Sequence, residues 1–213
     1  MKKSMFLIIG MVILSFAIGL FFYPKMPIEM ASHWDATGNV NGYMGRAWGI
    51  YLMPVLTAAL TLLLLALPYV DPLKKNVDKF RKYYEGFVIM FVAFMLYLYL
   101  LTIIWNLGYR FSMIQMLVPS FAVLFYYCGI MMQHTKRNWF IGIKTPWTLS
   151  SDVVWDKTHK LGAILFKITG LICLIGFILP SYTIWLVIVP VLTVAIVLFV
   201  YSYVVYRKMK IWI

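Results

Sequence analysis

Six nearly uninterrupted apolar runs, separated by polar stretches, set the pattern of the chain. They cover residues 5–23, 47–70, 86–107, 114–133, 161–179 and 182–206. Each comes close to the roughly 20 apolar residues that a helix needs to cross the hydrocarbon of a bilayer. The pattern predicts an all-α membrane protein of six transmembrane helices. Two connections, 108–113 and 180–181, are tight, so the helices they join are expected to be antiparallel neighbours. The longer connections cover residues 24–46, 71–85 and 134–160.

Composition sharpens this. The 213 residues are 63% hydrophobic and 12% charged, too little polar surface for a soluble domain of this size. The first run follows Lys2 and Lys3 but exceeds the roughly 7–15 residues of a signal h-region and ends without a small-x-small cleavage site, so it reads as a retained helix. Fifteen of the nineteen lysines and arginines fall at the N-terminus, in 71–85, in 134–160 and in the C-terminal tail; only Lys25, Arg46 and Arg110 lie on the other side, with Lys167 inside a run. Basic residues concentrate in cytoplasmic loops, which predicts both termini in the cytoplasm of a cell-membrane protein and 24–46 as a small structured outer loop. The net charge of +12 is then a matter of topology. Without a groove-reading motif it implies no direct nucleic-acid binding, only attraction to membrane lipids of anionic type. The chain is expected to form one integral membrane domain, with residues 1–70 as a two-helix unit bearing the outer loop and 71–213 as a four-helix unit. No internal repeat suggests an inverted-repeat transporter.

The outer loop has built-in shape. Pro24 and Pro27 stop the first helix, and Thr37-Gly38-Asn39 and Asn41-Gly42 supply turn chemistry. A hairpin pairing 31–34 with 40–43 follows. Glu29, His33 and Asp35 offer donor types that cations accept. With one histidine and no cysteine pair, a structural tie by His33 and Asp35 is the preferred reading, and neither metal nor cofactor is expected. Cys128 and Cys173 lie inside runs as small core residues.

In 71–85, Asp78/Lys82 and Arg81/Glu85 are spaced for i,i+4 ion pairs, and Val77, Phe80 and Tyr84 share a face, as in the start of an interfacial helix. The 138–151 stretch is the least ordinary of all. It combines Trp139 and Trp147, which favour the headgroup zone, with Pro146, which holds Thr145 extended and is expected to keep the segment from becoming a helix there. Asn138 and Gly142 suit a tight turn, and Ser150 or Ser151 suits the cap of a following helix. On that helix Asp152, Trp155, Asp156 and His159 are expected to share a side, with Asp156/Lys160 as a pair and His159 beside Asp156 as a structural or proton-handling histidine. No serine, cysteine or histidine comes with the partners that nucleophilic catalysis requires, so no catalytic residue is assigned. Lys167 is expected to snorkel toward the cytoplasmic face.

At these residues the chain resembles the SdpI-type immunity family of bacterial membrane proteins. Asn138, Gly142, Lys144, Thr145, Pro146, Trp147, Thr148, Trp155, Thr158 and His159 are similar to the family's inner signature, with Lys144 where arginine is frequent. Pro27, His33, Trp34, Asp35, Gly38, Gly42 and Tyr43 stand in, or beside, a looser outer-loop pattern. The resemblance implies a non-enzymatic protein that protects against a secreted peptide toxin, and a signalling role in which it sequesters a small repressor. The signature would then be a partner-binding surface. A small-molecule transporter or membrane enzyme with a pocket at the 138–159 face is the alternative.

Overall fold

The computed structural model describes residues 2–210. Six helices are long and apolar enough to cross a membrane: α1 (Lys2–Phe22), α2 (Arg46–Val70), α4 (Arg81–Asn106), α5 (Met113–His134), α7 (Asp152–Ile178) and α8 (Thr183–Lys210). The short helices α3 (Lys74–Asp78) and α6 (Pro146–Ser150) lie in two of the connections. At about 1.5 Å per residue even the 21 residues of α1 reach about 30 Å, the thickness of bilayer hydrocarbon. The protein is a multi-pass membrane protein.

The long helices pack as two groups. Helices α1, α2 and α4 touch one another, as do α5, α7 and α8, and α4 against α5 joins the groups. Between α5 and α7 the backbones come very close. A Cβ added at Gly129 would lie 2.6 Å from the Ala163 carbonyl oxygen, and one at Gly170 2.6 Å from that of Ala122. Lipid tails are as apolar as leucine, so helices in a bilayer gain from such close van der Waals packing rather than from a hydrophobic drive.

At one end of the bundle β1 (Glu29–Trp34) pairs antiparallel with β2 (Val40–Gly45), extending the expected hairpin at its open end, away from the turn. Its base is held by α4, where Asn106 accepts from the Ala31 amide at 2.8 Å and donates to the Ala31 carbonyl at 3.0 Å. Met26 and Met30 are buried with Ile50, Tyr99 and Ile103 beneath it. Turn chemistry divides unequally between the two glycines of the sequence pattern. Gly38 takes a positive φ of 87° in the turn, whereas Gly42 lies within β2, where a side chain would strike the His33 Cβ.

The connection 71–80 differs from one interfacial helix. The chain turns at Lys79 and Phe80 between α3 and α4. That turn swings Val77, Phe80 and Tyr84 into the core beside Ile8, Met131 and Ile141. It also replaces the expected ion pairs. Arg81 meets Asp78 at 3.0 Å and the Tyr69 hydroxyl at 3.4 Å, and Glu85 receives the Ser4 hydroxyl.

Candidate functional site

The end opposite the hairpin is closed by residues 135–160, folded into a small hydrogen-bonded knot. Asn138, wholly buried, organises its first turn. Its side-chain oxygen accepts from the Phe140 and Ile141 amides, and its side-chain nitrogen donates to the Lys136 and Ile141 carbonyls. One amide thereby satisfies four backbone groups that the loop could not pair by itself. Gly142 follows with a φ of 113°, and a Cβ there would fall on the imidazole of His159. Only glycine meets both demands at little cost.

Thr145 is extended and caps α6, accepting from the Thr148 amide while the Thr148 hydroxyl accepts from the Thr145 amide. Pro146 stands in the first turn of α6, where its missing N–H costs nothing; it opens a helix instead of keeping the segment nonhelical. Ser151, not Ser150, caps α7. Trp147 does not sit free at the interface but packs against Phe199 and Tyr203 of α8, at ring separations of 5.2 and 5.0 Å. Thr145 reaches the same helix through Ser202 at 3.1 Å.

His159 is buried, and both of its ring nitrogens meet backbone. Nε2 accepts from the Ile143 amide at 2.9 Å, which leaves Nδ1 to donate to the Trp155 carbonyl at 2.9 Å. This pattern defines one neutral tautomer and leaves neither ring nitrogen to hydrogen-bond Asp156. The Trp155 ring stacks on the imidazole with centroids 4.0 Å apart and donates to the Thr135 carbonyl. The four residues expected on one side of α7 therefore divide. Trp155 and His159 face inward, while Asp152 and Asp156 meet Arg137 at 2.7 Å and Lys136 at 3.4 Å. The Asp156/Lys160 pair does not form, because the preceding loop brings Lys136 closer. Thr158 is also buried, and its hydroxyl has no hydrogen-bond partner among the described residues.

Several partners of the knot carry no signal in the signature itself. Asp71, at the end of α2, accepts from the Leu73 and Trp139 amides; Asn76 donates to the Arg137 carbonyl; and Arg137 also donates to the Leu149 carbonyl. Asp71 lies just past the apolar run that ends at residue 70, and nothing in the sequence marks its reach across 68 positions to Trp139. Of the signature, Lys144 and Pro146 are exposed, together with Trp139 and Phe140 beside them. The half-buried Lys167 extends toward this end and donates to Gln133 at 2.9 Å.

The hairpin residues do not form a ligand cluster. His33 is hydrogen-bonded to Asn41, and the Asp35 carboxylate accepts from the Thr37 hydroxyl and from the Thr37 and Asn39 amides. The Thr37 hydroxyl, followed by the Asn39 amide, holds the Asp35 carboxyl below its ordinary value. Trp34 stacks edge-on against Trp105, while Tyr43 and Pro27 are exposed. Among the described residues no three His, Cys, Asp or Glu side chains gather as a cation site.

Residues 134–202 match the SdpI/YfhL protein family. The matched segment begins where α5 ends and stops at Ser202, so it contains the signature knot and its anchor on α8. Residues 10–58 match a domain of unknown function, DUF1648, which takes in most of α1, the hairpin and the first half of α2. Over 211 residues the chain is 26% identical to the Immunity protein SdpI of Bacillus subtilis (strain 168), covering 99% of each. No solved structure matches the chain.

Proposed function

We propose that this chain is an immunity protein of the cell membrane, protecting its host from a secreted toxic peptide without catalysing a reaction. The observation that carries the reading is end-to-end similarity to an immunity protein, with the most distinctive segment of the sequence built into a buried knot. Both termini lie in the cytoplasm, because the connections at the knot end hold most of the lysines and arginines. The hairpin then faces outward, where a secreted peptide arrives. At the knot, the exposed Lys144 and Pro146 with Trp139 and Phe140 form the surface that a small cytoplasmic repressor would meet. The buried signature residues support that surface without touching the partner.

A transporter or enzyme pocket at 138–159 has less to favour it. The interior of that segment is occupied by its own threonines, Trp155, His159 and Asn138. A cleft of about 420 Å³ opens at the hairpin end instead.

Expression in a strain sensitive to an Sdp-type peptide is expected to raise the lethal dose at least tenfold; unchanged killing removes the immunity reading for that peptide. Reporter fusions after Lys144 and within the hairpin turn test the orientation separately. The first is expected to be active only as a cytoplasmic reporter and the second only as an external one, and the opposite result reverses the two faces.

A further inference from the structure

The cleft at the hairpin end lies where three connections meet: the turn of the hairpin at Ala36 and Thr37, the start of α5 at Ser112–Gln115, and the 180–185 passage from α7 into α8. It is therefore walled on one side by the segment that matches DUF1648 and on another by the segment that matches the SdpI/YfhL family. None of its ten lining residues carries a charge. The cations of this end are turned elsewhere. Lys25 lies over Phe21, Arg46 donates to the Pro27 carbonyl, and Arg110 lies 3.6 Å from the Trp105 ring centre.

The polar groups in the cleft are poorly used by the protein. The Gln115 side-chain amide and the exposed Ser181 hydroxyl make no hydrogen bond within the described chain, and the Ser112 hydroxyl only accepts, from the Gln115 amide at 3.4 Å. Beside them stand Ile114, Ile184 and a Trp185 that is 64% exposed. Unpaired neutral donors and acceptors next to apolar walls match the repeating amide and apolar side chains of an extended peptide. They do not match a phosphate or a metal ion, which would call for charge.

We propose that this cleft receives an uncharged, apolar stretch of the toxic peptide, pairing its backbone with Gln115 and Ser181 and seating its side chains against Ile184 and Trp185. The inference rests on the immunity reading above. An occupant would touch both matched segments at once, near the point where Tyr97 of α4 donates to the Met116 carbonyl of α5 and so joins the two helix groups.

The test uses the full-length protein in cells challenged with the Sdp-type peptide of the protection assay. Ser181→Trp fills the cleft from an exposed position and is expected to cut protection at least tenfold at unchanged membrane abundance; Gln115→Leu, which keeps the bulk and removes the amide, is expected to cut it severalfold. Full protection by both overturns the proposal. Should Ser181→Trp fail to accumulate, Ser181→Cys decides. A membrane-impermeant maleimide added outside is expected to label it, abolish protection, and react more slowly when the peptide is present. Labelled protein that still protects, or a cysteine reached only by a permeant reagent, overturns the cleft while leaving the immunity reading intact. A wild-type chain that fails to protect removes that reading, and the proposed occupant with it.

Discussion

Replacing Asn138 by alanine is expected to destabilise the protein by about 3 kcal/mol or more, since each buried donor or acceptor left without a partner costs about 1–3 kcal/mol. The side chain is fully buried and serves four backbone groups, among them the amide and the carbonyl of Ile141. The Ile141 groups are buried and cannot turn to water when the side chain is cut back. Asn138→Asp is expected to be comparably damaging for a different reason. The carboxylate keeps the acceptor facing Phe140 and Ile141 but presents a second oxygen to the Lys136 and Ile141 carbonyls, where a donor is required. Lys144→Ala is the internal control, because Lys144 belongs to the same signature but is exposed. Thermal unfolding of the detergent-purified protein, followed by loss of the monodisperse peak, reads all three. If Asn138→Ala melts with Lys144→Ala, the knot is not held as described.

The contrast between those two residues also separates what could be read in the sequence from what could not. Apolar runs of membrane-spanning length locate the six long helices to within a few residues at most ends, because length and hydropathy are local properties. Proline and glycine mark the hairpin and the Asn138–Gly142 turn for the same reason. The start of α4 at Arg81 and of α7 at Asp152 is earlier than the hydropathy suggests. In both cases polar residues continue the helix beyond the apolar run, and hydropathy is silent about them. Side-chain partners are the least legible part. Asp156 has a lysine at i+4, yet meets Lys136, 20 positions earlier. Trp147 looks like an interfacial anchor but has α8 to pack on, and Ser202 gives no sign that a threonine 57 positions away needs it. These are long-range choices made by packing. The signature was recognisable as a motif, but its division into a buried scaffold and a small exposed face needed the third dimension.

The knot also has to be kept in register with the opposite end of the bundle, and α7 is the element that runs between them. Near its start it carries Trp155 and His159, and it ends beside Pro180 and Ser181 at the cleft. Its hold on α5 depends on Gly129 and Gly170, each of which faces a fixed backbone carbonyl, with the Lys167 stem also close to Gly129. A side chain at either position cannot be absorbed by a rotamer change, so the helices must part. Gly170→Leu is therefore expected to cost about 3 kcal/mol or more, at the upper end of overpacking effects, while Cys173→Ala, one turn away on the same helix, should cost less because it removes volume without forcing the backbones apart. A double substitution, Gly129→Ala with Gly170→Ala, is expected to cost less than the sum of the two singles, since the first separation of the helices relieves the second clash. Strict additivity would show that the two glycines act at independent contacts, and that α5 and α7 are not one tightly seated pair.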